Sequence, residues 1–112
     1  MNEIKAIIQP FMLDKVLDAL GQIEGLPGIT VSTVRGFGQT RGRAAEAKDD
    51  STVHYVNKAK IEVVVPDALV ETVVHTIQEH AHTGNLGDGK IFVYKVTEVI
   101  RIRTGERGEA AI

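Results

Sequence analysis

The stretch Thr83-Gly84-Asn85-Leu86-Gly87-Asp88-Gly89-Lys90 carries the densest chemistry in the chain. Its glycines leave backbone amides uncovered and admit positive φ, the two properties a phosphate cradle needs, and Lys90 adds a point charge beside them. Formally, Gly84 to Lys90 fits the G-x-x-x-x-G-K part of a P-loop. Two features turn that fit aside. Ile91 stands where a magnesium-binding Ser or Thr is required, and the surrounding pattern runs helix, loop, strand, the reverse of a P-loop. The loop is therefore phosphate-competent without being a P-loop NTPase, and taken alone a plain glycine-rich turn explains it equally well.

Two further segments bear on the same chemistry. Gly36-Phe37-Gly38-Gln39-Thr40-Arg41-Gly42 is glycine-rich but misses the dinucleotide fingerprint, because its third glycine falls one residue late and no helix follows. In Arg101-Ile102-Arg103-Thr104-Gly105-Glu106, alternation predicts Arg101 and Arg103 on one side of an extended segment, where two guanidinium forks can clamp a polyphosphate. The plainer reading is an edge strand whose charges resist aggregation. Two glycine cradles, one lysine and two aligned arginines together favour a phosphate ligand.

Other chemistry is poorly represented. His75, Glu79 and His82 have a spacing that can ligate a metal, but the stripe lies mostly off the apolar face, so solvated side chains are the better reading and no protein metal site is assigned. No nucleophile is paired with an oriented base, which predicts a protein that is not an enzyme. The absence of cysteine excludes a disulfide framework, a thiolate zinc site and a cysteine nucleophile. A formal charge of -2 argues against nucleic acid and against a general membrane-surface role. With no signal-like start and no apolar run of spanning length, the chain is expected to be cytoplasmic and not inserted in a membrane.

The elements that must position these loops fit one domain, residues 1–112, with 43% hydrophobic and 25% charged residues. A first strand runs to Gln9 and is stopped by Pro10. Leu13, Val16, Leu17, Leu20 and Ile23 follow at the spacing of one helical face. Strands are predicted over 29–34, 59–65 and 91–96. The second helix carries Val70, Val73, Val74, Ile77 and Ala81, with Asp67 as its N-cap and Gly84 as its C-cap. The order β-α-β-β-α-β predicts an α+β, ferredoxin-like split βαβ fold with both helices on one face of an antiparallel sheet. Ile7 and Val64 then fall on the uncovered face, which predicts self-association. From Gly36 to Lys58 no periodicity is sustained, and a connection of that length is usually functional.

Several of these motifs resemble the PII nitrogen-regulatory signal-transduction family: Ala6-Ile7-Ile8-x-Pro10-Phe11-x-Leu13-Asp14, Gly36-Phe37-Gly38, the run Lys60 to Asp67, Thr83-Gly84-x-x-Gly87-Asp88-Gly89-Lys90-Ile91-Phe92-Val93, and Ile100 to Glu106. The resemblance covers nearly the whole chain in order. It implies a homotrimer with ATP or ADP in the clefts between subunits, Mg2+ accompanying ATP. Phosphates would lie against Gly87, Gly89, Lys90, Arg101 and Arg103, with Gly38 closing the far side. Adenosine contacts would come from Ile7, Thr30, Glu62 and Val64, and Gly36, Phe37, Gln39 and Asp88 complete the expected nucleotide-binding set. A protruding loop, about 39–57, would engage a target protein such as an ammonium or other membrane transporter, or a nitrogen-metabolism enzyme.

Three departures qualify what the resemblance implies. Members that bind 2-oxoglutarate usually carry Arg-Gln after Gly-Phe-Gly, where this chain has Gln39 and Thr40, although the matching Lys58 is retained. A different small anion, or a slow ATPase in the same cleft, are the alternatives. The tyrosine that many bacterial members present for uridylylation is replaced by Ser51, a site expected to be unmodified. The loop body from Arg43 to Asp50 shares little with the usual version.

Overall fold

The computed structural model describes residues 1–37 and 55–112. Four strands, β1 (Asn2–Ile8), β2 (Thr30–Gly36), β3 (Val56–Val65) and β4 (Gly89–Lys95), form one sheet in the order β2-β3-β1-β4. Every neighbouring pair is antiparallel. Helices α1 (Leu13–Leu20) and α2 (Val70–Ala81) supply the two crossovers. This is the ferredoxin-like α+β arrangement expected from the element order.

Period-two alternation sorts the strands into two faces. Ile4, Ala6 and Ile8 of β1 and Ala59, Ile61, Val63 and Val65 of β3 are buried under the helices, where Val16, Leu20, Val73 and Ile77 meet them. The register Ile4↔Val63 and Ala6↔Ile61 keeps like faces together. Residues of the other parity, Ile7 and Val64 among them, remain half-buried on the opposite face. There Phe92 and Tyr94 stack with centroids 6.4 Å apart, and the Lys5 ammonium sits over both rings. The Tyr94 hydroxyl beside Lys5 raises its pKa above the ordinary lysine value.

Several boundaries differ from the sequence-based expectation. The β2–β3 hairpin is longer, pairing Gly36 with Val56, so Val56 and Asn57 belong to a strand and not to the protruding loop. Likewise β4 starts two residues early, because Gly89 pairs with Ile8. Helix α1 stops at Leu20, and Ile23 packs on the core from the following turn.

Asp67 does not cap α2. Its carboxylate instead accepts from the Met1 amine at 2.8 Å and from Asn2 at 2.6 Å, which holds its pKa below the usual aspartate value. Gly84 is not the α2 cap either, since His82 already leaves the helix in an extended conformation.

Candidate functional site

The end of α2 and the start of β4 are fixed in the core by Ile77, Ala81 and Ile91, so the loop between them has both ends anchored. Within it Gly84, Gly87 and Gly89 all have positive φ. Gly89 has a second and stricter reason to be glycine. A Cβ at that position would stand 1.7 Å from the Ile7 carbonyl oxygen, because the loop enters the sheet directly against β1. Its place in the motif is thus set by backbone packing as well as by any ligand.

Gly87, Gly89 and Lys90 line a cleft of about 710 Å³ together with Ile7, Gly36, Phe37 and Lys58. That volume lies in the range of small-molecule sites. The Lys58 ammonium donates to the Gly87 carbonyl oxygen, tying β3 to the loop. Gln9 approaches the same glycine: a Cβ on Gly87 would meet Gln9 Nε2 at 3.0 Å and Lys58 Nζ at 3.4 Å. Two nitrogen donors therefore converge on Gly87. Gln9 has no local signature in the sequence, because its place beside Gly87 depends on the β1–β4 pairing.

Asp88 is also among the lining residues of this cleft, with its carboxylate committed to the loop. Its carboxylate accepts from the Thr83 hydroxyl, from the Thr83 amide at 2.8 Å and from the Gly84 amide at 3.0 Å. The Thr83 hydroxyl, then its amide, hold the Asp88 pKa below the ordinary carboxylate value against an opposing effect of burial. The carboxyl is thus an internal fixture of the loop.

The remaining expected residues lie elsewhere. Thr30, Glu62 and Val64 line a second cleft of about 490 Å³ with Glu3, Val99 and the terminal Ala111 and Ile112. Along β1, Glu3 in this cleft and Ile7 in the other are separated by roughly 13 Å at ~3.3 Å per residue. The four residues expected around an adenosine are accordingly split between two depressions of one protomer.

Arg101 and Arg103 do not share a side of an extended segment. Residues 102–104 form a turn, closed by Arg101 N to Glu106 O at 2.9 Å and Gly105 N to Arg101 O at 2.7 Å. Gly105, with φ +74°, reverses the chain there. The Arg101 guanidinium is 3.1 Å from Glu106 and also reaches the Ala110 and Ile112 carbonyls, beside the second cleft. Arg103 is exposed. Gly38, Gln39, Thr40 and Ser51 lie outside the described residues. His75 and Glu79 approach to 3.4 Å on the exposed side of α2. Among the described residues no group of three or more His, Asp or Glu side chains gathers as a metal site. No described helix is long and apolar enough to cross a membrane.

Fold and site together define a small ferredoxin-like protein with a glycine-rich, lysine-bearing cleft at one sheet end. Comparison with known proteins makes the class specific: residues 1–106 match the family described as Nitrogen regulatory protein P-II. Over the whole length of both chains, the sequence is 52% identical to Nitrogen regulatory protein P-II of Rhodospirillum rubrum and 50% identical to Nitrogen regulatory protein P-II 1 of Escherichia coli K12. A crystal structure of Arabidopsis thaliana PII bound to citrate superimposes with a TM-score of 0.79 at 47% identity, covering 99% of this chain and 91% of that one. The chain belongs to the P-II family of nitrogen regulatory proteins, and these relatives are named as PII or regulatory proteins.

Proposed function

We propose that this chain is a nucleotide-responsive regulator that binds ATP or ADP and acts on a target protein through the segment that β2 and β3 carry. The observation that carries the reading is the cleft at Gly87, Gly89 and Lys90. Glycine backbone, a lysine and apolar walls from Ile7 and Phe37 offer complementary surfaces to a polyphosphate and a base. The Asp88 carboxylate is engaged within the loop, so it does not oppose an anion there. When bound, the nucleotide supplies the charge that Lys90 neutralises; Mg2+ would accompany its phosphates.

A homotrimer completes the site on this reading. Each protomer carries the phosphate half in one cleft and Thr30, Glu62 and Val64 in the other, and a closed ring of copies can set one against the next. It also covers the sheet face bearing Phe92 and Tyr94, which are 38% and 43% exposed in a single copy. The output is regulation of an ammonium or other transporter, or of a nitrogen-metabolism enzyme, in the cytoplasm, without catalysis by this chain.

A second input reading has its own support. Gln9 and Lys58 converge on Gly87, a donor arrangement suited to a small carboxylate, and the Arabidopsis relative is described as bound to citrate. The deciding experiment is calorimetry with ATP and Mg2+, with and without 2-oxoglutarate or citrate. Saturable ATP binding is expected, and its absence would overturn the nucleotide reading. Heat from citrate but none from 2-oxoglutarate, at saturating ATP and Mg2+, would select the different-anion input.

A further inference from the structure

We propose that Asp88 is a positioning residue which, through Thr83, holds the phosphate loop in its binding conformation. The inference rests on the nucleotide reading above and refines it. A loop with three glycines at positive φ has no strong preference of its own for that shape, since glycine leaves the unfolded chain its widest freedom. Something else must select it.

Asp88 is placed to do so. It sits between Gly87 and Gly89, the two glycines that line the cleft, and its carboxylate reaches back to the other end of the loop. One oxygen takes the Thr83 and Gly84 amides at 2.8 and 3.0 Å, and the other takes the Thr83 hydroxyl. The same hydroxyl oxygen accepts from the Asn85 amide at 3.1 Å, extending the clamp by one more residue. An ionised carboxylate is an acceptor on both oxygens, which suits three donors from two successive residues. His82, exposed beside the loop, adds favourable charge when protonated.

The clamp has two consequences for a ligand. It ties Asp88 back to residues 83–85 while Gly89 is held by its pairing with β1, so the backbone at Gly87 between them is set before an anion arrives. It also commits both carboxylate oxygens to Thr83 and Gly84. A released Asp88 would add a negative charge beside the phosphate position.

The test uses the full-length protein and four variants: Asp88→Asn, Thr83→Val, Thr83→Ser and the double Asp88→Asn/Thr83→Val. Asn at 88 presents an NH2 group to at least one donor; Val removes the hydroxyl that links Asp88 to Asn85. Each is expected to weaken ATP binding about tenfold. The double variant should lose little more than Asp88→Asn alone, because both changes open one clamp. Thr83→Ser should bind like the native protein.

Amide hydrogen exchange of Gly84 and Asn85, whose N–H groups the clamp holds, read without nucleotide, should quicken about tenfold in the Asn and Val variants while exchange in the core strands is unchanged. If Asp88→Asn impairs binding but Thr83→Val is silent, Asp88 acts on the ligand directly and the proposal fails. Native affinity in Asp88→Asn overturns it as well. Should the native protein bind no ATP, the nucleotide reading falls separately, and the exchange rates still decide whether Asp88 clamps the loop.

Discussion

Replacing Gly89 by alanine should be among the most destructive single-methyl additions in the protein. The new Cβ would lie 1.7 Å from the Ile7 oxygen and 2.8 Å from its carbonyl carbon, where 3.4 Å is the near edge of ordinary contact. Nothing flexible can give way, because both colliding atoms belong to the backbone of β1, hydrogen-bonded on both sides. The start of β4 must peel off, losing the Ile8↔Gly89 and Ile7↔Lys90 pairings.

Two ladder bonds at roughly 1 kcal/mol each, with about 1–2 kcal/mol for φ +104° on a residue with a Cβ, give a loss of about 3–4 kcal/mol. Gly25→Ala is the control. It carries the same kind of backbone cost at φ +81° but meets no atom within 4 Å, so only about 1–2 kcal/mol is expected. Thermal unfolding by circular dichroism, without nucleotide, should therefore separate the two variants by roughly 10 °C. A Gly89→Ala protein melting within about 2 °C of Gly25→Ala would refute the reasoning.

In the core, Ile61 is fully buried at the centre of β3, so Ile61→Ala should cost about 2–5 kcal/mol and Ile61→Val about 1 kcal/mol, read from urea unfolding midpoints. Asp67 and Asp88 both have pKa values below the ordinary 3.8 when folded, so their stabilisation is complete above that value. It is lost as pH falls through the lower folded values; a melting-temperature series from pH 6 down to about pH 2 should decline only at its acid end, less steeply in Asp67→Asn. Phe92→Glu places a carboxylate beside Lys5, which tolerates it in one protomer but not under a neighbouring sheet. Light scattering should therefore show dissociation with the far-ultraviolet spectrum intact, and a variant that stays trimeric would count against this face as the interface.

The legible parts of this fold are those that depend on short-range periodicity. Alternation in β1 and β3 separates Ile8 from Ile7 and Val63 from Val64, and the structure places each on its expected face. Errors arise where a distant partner decides. Asp67 has the composition and position of a cap, but the Met1 amine and Asn2 arrive through β1 and take its carboxylate. Alternation of arginine and isoleucine suggests an extended segment with Arg101 and Arg103 on one side, yet Gly105 and Glu106 bend it back and pair with Arg101. At the site, the glycine loop is visible as composition. That Gly89 must clear the Ile7 carbonyl, and that Gln9 and Lys58 meet at Gly87, are products of strand register with no local trace.

Register also indicates how a ligand would be felt at the output. Val34 pairs with Lys58 and Gly36 with Val56, so Lys58 lies two residues inside the end of the β2–β3 ladder. Beyond that end Phe37 and Tyr55 bring their rings to 5.9 Å, and the Arg35 guanidinium lies over Tyr55. A group that draws the Lys58 ammonium away from the Gly87 carbonyl therefore acts on the same short strand end that holds this ring pair. Such a ligand shifts the output only by the difference in its affinity for the two arrangements. On the proposed reading that difference resides in Lys58, which has one bond to exchange, whereas Gly89 is locked against β1 and has none. The fixed half of the cleft would then set binding, and the exchangeable half would set response.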